Sequence, residues 1–320
     1  MSGYPGVPTL DSIEGIVVHS DIPRAGEFTC SNQLINRIQR MIVWSVRDNF
    51  QSVPGSCCNR GERAGWGGDV QVMVPSTYYN FQMACLYTKF LEDYREDQNA
   101  QGGVHDSIPW TGWGGYSAPG WHDCFTILAW TMYQNYGDLD ILRKHYADLK
   151  LALNYILADN PNLIWENNVG GNHISHNHPF LGSVSEWFYK VLAGIDVDPQ
   201  GPGYKRVTIK PQVVGDLTWV KANHESIHGT IASDWQRQEN RFSLKVTLPG
   251  NTTAKVHLPK LGWKNVTVTE SGAPIWEGGS YSGGVAGITS GSDSSDSVAL
   301  ETGSGSYTFE IGEGRTLAAD

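Results

Sequence analysis

Near residue 200 the hydrophobic period of this 320-residue chain changes, and that switch limits the possible folds more than any other feature. Before it, apolar residues recur three and four apart: Leu34, Ile35, Ile38, Met41, Ile42 and Val46, then a run from Val70 to Leu91, then residues 121–136, then Leu142, His145, Leu149, Leu153 and Ile156. Such spacing lines one face of a helix. Ser31 and Asp138 stand as N-caps before two of these stretches, and residues 183–194 make a fifth helix. After the switch come short alternating runs at 207–209, 217–220, 242–248, 255–258 and 266–268. Alternation marks strands with one buried face. Pro5, Pro8 and Pro23 keep residues 1–30 extended. The expected class is therefore α+β: an extended segment over 1–30, a helical domain over 31–196, and an antiparallel β-sandwich over 203–320. The run from Asp196 to Gly203 reads as the linker turn, and the Gly/Ser-rich, acidic residues 271–305 as a mobile insertion between the last strands.

Composition narrows the function. A net charge of −10 argues against a nucleic-acid partner or an anionic membrane surface. Twelve Trp and fourteen Tyr suit either carbohydrate stacking or a large core, and composition does not separate the two. Five cysteines with no CxxC spacing indicate neither a disulfide framework nor a zinc site. No apolar run approaches the roughly 18 residues needed to span a bilayer. The first residues carry no basic-then-apolar leader pattern, and Asn251 and Asn265 open glycosylation sequons that matter only for an exported chain, so the compartment stays open.

The densest chemistry lies at residues 60–69, Arg-Gly-Glu-Arg-Ala-Gly-Trp-Gly-Gly-Asp. Glu62 and Asp69 stand there among two arginines, a tryptophan and four glycines. Glycine permits tight turns that crowd side chains around a small ligand. An aromatic wall beside carboxylates is what a sugar-cleaving site requires. The plainer alternative is a surface loop whose charges pair with one another.

The run Val53-Pro54-Gly55-Ser56-Cys57-Cys58-Asn59-Arg60-Gly61-Glu62-Arg63-Ala64-Gly65-Trp66-Gly67-Gly68-Asp69 resembles the signature of the bacterial and fungal α-L-rhamnosidases. Further on, Leu163-Ile164-Trp165-Glu166, His176-Asn177-His178, the segment Leu181 to Trp187, and Gly203-Tyr204-Lys205 with Pro211 are similar to that family's later blocks. The resemblance implies an inverting glycosidase built on an (α/α)6 barrel of six helical hairpins, followed by a β domain. It implies that Glu62 is the general acid and Glu166 the general base, that Arg60, Trp66, Asp69, Trp121 and His178 contact sugar, and that no cofactor or metal is needed. Ser56 stands in the sugar-binding position where the family carries an aspartate. The cluster His173, His176 and His178 is accounted for without a metal, Glu186 is assigned a structural place on its helix, and Cys57-Cys58 a place as buried thiols.

One departure is large. The long helical stretch that the family carries between the equivalents of Tyr155 and Ile164 is eight residues here. The expected helical domain is thus an incomplete six-hairpin toroid, a partial α/α-barrel catalytic domain with apolar faces open to self-association. Two readings follow. In one, the chain removes terminal α-L-rhamnosyl groups, with inversion, from a rhamnose-containing glycoside or polysaccharide, and Glu62 and Glu166 face a common cleft. In the other, it is a remnant that at most binds carbohydrate.

Overall fold

The computed structural model of the protein describes residues 6–7, 9–58, 61–112, 114–118, 120–159 and 183–313. Strand β1 (Gly26–Cys30) leads into helix α1 (Gln33–Asn49). The cap of α1 is Asn32, whose Oδ1 accepts from the Leu34 and Ile35 amides at 2.9 and 3.4 Å. Ser31, expected to cap it, instead accepts the Thr218 amide at 3.1 Å and ties the helix start to the sheet. A two-residue ribbon, β2 (Phe50–Gln51) with β3 (Val53–Pro54), and strand β4 (Gly65–Trp66) precede α2 (Gly67–Asn80) and α3 (Ala84–Asp97). The apolar run from Val70 to Leu91 is therefore two helices, not one. Phe81 is extended there, at φ −141° and ψ 154°, and bridges Arg24 on the N-terminal segment.

After strand β5 (Ser107–Ile108) come α4 (Cys124–Tyr136) and α5 (Leu139–Asp159). Gly137 separates them in the left-handed region, at φ 67°, where a side chain would be strained. Asp138 caps α5 as expected, its Oδ1 accepting the Ile141 amide at 3.1 Å. Helix α6 (Val184–Trp187) opens into a wider π turn over Phe188–Ala193, and Glu186 there pairs with Lys190 at 2.8 Å. The described residues thus hold six helices, a partial six-hairpin domain, one more helix than the periodicity marked.

Ten further strands follow: β6 (Ile195–Val197), β7 (Arg206–Ile209), β8 (Trp219–Ser226), β9 (Gly229–Gln238), β10 (Arg241–Pro259), β11 (Val266–Glu270), β12 (Ala273–Glu277), β13 (Ser280–Tyr281), β14 (Ile288–Asp293) and β15 (Ser297–Glu313). The main path runs β1-β8-β9-β10-β15-β11-β12-β13. Two long strands, β10 and β15, carry the sheet around a bend where their register shifts between Leu248 and Thr253. Before the bend β10 pairs with β9; beyond it β10 pairs in parallel with β7, the one departure from antiparallel order among the described residues. The early half of β15 pairs with β14 and its late half with β11. The two limbs close on one core that includes Leu244, Val256, Trp276, Leu300 and Phe309. Gly291 of β14 lies so near β12 that an added Cβ would sit 3.2 Å from the Trp276 ring.

Residues 271–305 are not an insertion. They form β12, β13, β14 and the start of β15, and their glycines serve tight turns such as Gly278-Gly279, both at positive φ. Glycine and serine here mark the corners of a meander with very short strands. The N-terminal segment is likewise part of the sheet, because β1 pairs along its whole length with β8.

Helices and sheet meet at an aromatic joint. Tyr79 of α2 stacks on Tyr189 at 4.8 Å and 10°, and Phe28 of β1 stacks on Phe188 at 5.3 Å. Trp235 Nε1 donates to the Leu192 carbonyl at 2.7 Å, and Ser233 Oγ to that of Ala193 at 2.7 Å. Beside the joint lies a buried polar ring. Gln39 Nε2 donates to Asn80 Oδ1 at 2.6 Å, Asn80 Nδ2 to Ser185 Oγ at 2.9 Å, and Ser185 Oγ to Gln39 Oε1 at 2.8 Å. Gln39→Ala removes the shorter of the two bonds to Asn80 Oδ1 and the acceptor of the Ser185 hydroxyl, so urea unfolding should show a loss of roughly 1–3 kcal/mol.

His224 of β8 is buried between Tyr79 and Tyr204, at ring distances of 5.6 and 4.9 Å. Burial pushes its pKa down to about 4. Below the ordinary value of about 6.5 the unfolded chain binds a proton that the folded one refuses, so stability is lost as pH falls from about 6.5 toward 4. The expected loss is of order 3 kcal/mol. Chemical denaturation across that window should show it, and His224→Phe should flatten that part of the profile.

Candidate active site

The loop that carries Glu62 is shaped by close backbone approach. Strand β4 pairs antiparallel with β5, Gly65 opposite Ile108 and Trp66 opposite Ser107, and the Gly67 amide donates to the Asp106 carbonyl at 2.9 Å. A Cβ at Gly65 would run into the Ile108 carbonyl, and one at Gly67 into the Trp121 carbonyl. One at Gly68 would lie 2.7 Å from the Trp121 indole. The glycines are there because β5 and Trp121 press directly on this backbone.

That packing gathers several side chains singled out in the sequence. Glu62 is half-buried, and its Oε2 accepts from Trp66 Nε1 at 3.1 Å. Asp69 lies in the first turn of α2, where the amide dipoles favour a carboxylate. Its Oδ1 accepts from Ser56 Oγ at 2.9 Å, and Ser56 is fully buried, with its own amide bonded to the Ala64 carbonyl at 3.0 Å. Trp121 lies over Gly68, next to Asp69. Ser56, Glu62, Trp66, Asp69 and Trp121 therefore belong to one patch. Arg60, Glu166 and His178 lie outside the described residues, as do His173 and His176. The expected facing of Glu62 and Glu166 lies there too.

The sequence reading missed the residues that hold the opposite wall. Asp106 is buried, and its two oxygens accept the Gly115 and Ala118 amides, each at 2.9 Å. This clamp folds the 106–118 loop back on itself, and a Cβ at Gly114 would lie 2.7 Å from the Trp66 ring. Asp123 Oδ2 accepts the Gly120 amide at 3.0 Å, and Gln71 Nε2 reaches the Gly120 carbonyl from α2. An aspartate isolated among glycines and prolines is a recognisable turn former, and that was the available signal for Asp106.

Titratable neighbours are set by burial. His122, beside Trp121, has its pKa lowered by burial, which favours the neutral ring. Burial pushes the Cys124 thiol up to about 12 and also raises that of Cys58. Cys58 is half-buried and Cys57 buried, and neither is in a disulfide; the raised pKa makes Cys58 a poor nucleophile. Among the described residues no three His, Cys, Asp or Glu side chains are grouped to hold a metal ion, and no described helix is long and apolar enough to cross a membrane. The arrangement offers a carboxyl group fixed by an indole, a second carboxylate supported by a buried hydroxyl, and two aromatic walls.

Residues 23–171 match the model of the bacterial α-L-rhamnosidase six-hairpin glycosidase domain, and residues 194–273 that of the bacterial α-L-rhamnosidase C-terminal domain. The chain is 24% identical to an α-L-rhamnosidase of Streptomyces avermitilis over 81% of its own length and 41% of that protein's. It is 34% identical to one of Formosa agariphila over 47% of its own length and 16% of that protein's. Among solved structures, an α-L-rhamnosidase of Dictyoglumus thermophilum is similar with a TM-score of 0.82 and 26% identity, over 97% of this chain and 53% of that one. The Streptomyces avermitilis α-L-rhamnosidase, solved complexed with L-rhamnose, is similar in fold with a TM-score of 0.77 at 22% identity, over 96% of this chain and 44% of that one. The chain thus spans about half the length of these two solved structures, and less of the two sequence relatives.

Proposed function

The chain belongs to the bacterial α-L-rhamnosidase family, and from that premise we propose that it hydrolyses terminal α-L-rhamnosides with inversion, using Glu62 as general acid and Glu166 as general base. The observation that supports this most is the Trp66–Glu62 hydrogen bond at 3.1 Å, which orients a carboxyl group in the glycine-rich loop leading into α2. The catalytic part is residues 31–196, and residues 203–320 form the C-terminal domain. The sugar is carried over from the Streptomyces avermitilis protein complexed with L-rhamnose, which shares the fold.

In this reading Glu62, protonated, gives its proton to the glycosidic oxygen as the bond to the anomeric carbon breaks. Glu166 takes a proton from the water that attacks the opposite face, so the anomeric configuration inverts. An inverting pair stands roughly 6.5–9.5 Å apart to admit that water. Trp66 and Trp121 supply apolar walls for the ring, while Asp69, Arg60 and His178 take its hydroxyls. Ser56, buried against Asp69, acts through that carboxylate by holding it in place.

A second reading, sugar binding without turnover, is favoured by one observation. Only six helices stand among the described residues, and Trp130, Leu153 and Leu157 on α4 and α5 are left exposed. Steady-state kinetics on an aryl α-L-rhamnoside separate the two. Glu62→Gln should lower kcat by about 10²–10⁴-fold, less with an activated leaving group that needs little protonation. Unchanged kcat would remove Glu62 from the mechanism. Absence of turnover in the parent chain, with L-rhamnose binding retained by calorimetry, would establish the second reading.

A further inference from the structure

A groove of about 350 Å³ runs between α1 and β1, and it shares no lining residue with the candidate active site. Arg24, Arg40 and Arg47 line it, against the single carboxylate of Glu27. The chain as a whole carries −10, so this concentration of cations runs against the charge of the rest of the molecule. Among the described residues none of the three arginines is in an ion pair.

Two of the arginines are held in place. Arg24 lies over the Phe81 ring at 5.2 Å and spends one donor on the Gly26 carbonyl at 2.6 Å. Arg47 lies over the Trp44 ring at 5.5 Å, and its Nε is buried with no hydrogen-bond acceptor. A buried guanidinium N–H without an acceptor is unfavourable, and an anion bound at the same guanidinium would offset part of that cost. Burial, chiefly, lowers the Arg24 pKa, and the Arg47 charge acts in the same direction, so the two cations repel each other. An anion placed between them would relieve that repulsion. Gln39, which also lines the groove, is spent on Asn80 and Ser185 and is not available to a ligand. Trp44 leaves half its surface open to solvent beside the cations, where an indole can stack on a sugar ring.

We propose that this groove is a second saccharide site, one that binds a sugar carrying an oxyanion, with Arg24, Arg40 and Arg47 on the anion and Trp44 against the ring. Arginine forks match carboxylate and sulfate geometry, and fixed guanidinium groups lose little freedom on binding. The saccharide half of this assignment rests on the proposed action on glycosides; the anion half rests on the arginines alone.

Calorimetric titration of the full chain tests it, with a uronic acid trisaccharide, its methyl ester, a sulfated disaccharide and inorganic phosphate as probes. The uronate or the sulfated sugar should bind, more weakly as salt is raised, and the neutral methyl ester should not. Arg40→Gln and Arg47→Gln should each weaken binding about tenfold or more, and Trp44→Ala, which also frees Arg47, should weaken the saccharide more than phosphate. Thermal melts of the variants check folding, and Arg40 is exposed and in no ion pair among the described residues, so its replacement should leave the fold intact. Glu62→Gln should leave every one of these affinities unchanged, which separates this site from the hydrolytic one. Equal binding of the methyl ester, binding of no probe, affinities indifferent to the arginines, or binding of phosphate alone would each overturn the proposal.

Discussion

Tyr79 is the residue on which the two halves of the molecule turn. Its ring is stacked on Tyr189 and its hydroxyl donates to the Ile195 carbonyl at 3.0 Å, so one side chain of α2 is locked into the core of the sheet. An aromatic pair of this kind adds about 0.5–1.5 kcal/mol beyond its buried area, and Tyr79 makes its contacts where no water competes. The other end of the same helix opens with Gly67, Gly68 and Asp69. Helix α2 is therefore a strut about 21 Å long at 1.5 Å per residue, with the candidate active site at one end and the joint at the other. Whatever fixes the joint fixes the direction in which Asp69 and Trp66 point.

The same strut carries the candidate site in a chain of about half the length of two similar solved structures. Among the described residues, contacts that shape the Glu62 loop come from β5, Asp106, Gly114 and Trp121, all within the first helices and their loops. None of them depends on helices that a longer chain would add. Those helices would have another task. Trp130 on α4 and Leu153 and Leu157 on α5 show the kind of apolar surface that a neighbouring hairpin covers in a closed toroid. Local close packing thus holds around the Glu62 loop with only six helices among the described residues.

Much of this was legible in the chain itself. The helical spacing at Leu34 to Val46 and at Leu142 to Ile156 marked α1 and α5, and Asp138 was recognised as a cap because an aspartate before an apolar periodic run has few other uses. The Glu62 loop stood out because glycines, arginines, carboxylates and tryptophan are crowded there. Other features were misread for a common physical reason. Ser31 lost the cap to its neighbour Asn32 because a strand, distant in sequence, needed its hydroxyl for the Thr218 amide. Residues 271–305 looked like a mobile insertion because strands of two to six residues separated by Gly and Ser carry too little alternation to register.

By itself the sequence determined what short-range physics decides: which segments are helical or extended, where the period switches, and which loop concentrates acid, base and aromatic groups. Only the tertiary structure decided what those groups touch. Ser56 looked like a residue for the ligand, yet it is buried with its hydroxyl on Asp69, because the Ser56–Ala64 bridge turns it inward. Asp106 was not singled out at all, yet it clamps the wall behind Trp66 with both oxygens. The glycines of the loop looked like freedom, and they are in fact close contact with Trp121 and β5. Contacts between residues dozens of positions apart are set by how whole elements pack, and packing is a property of the surfaces brought together, which no local window of sequence contains.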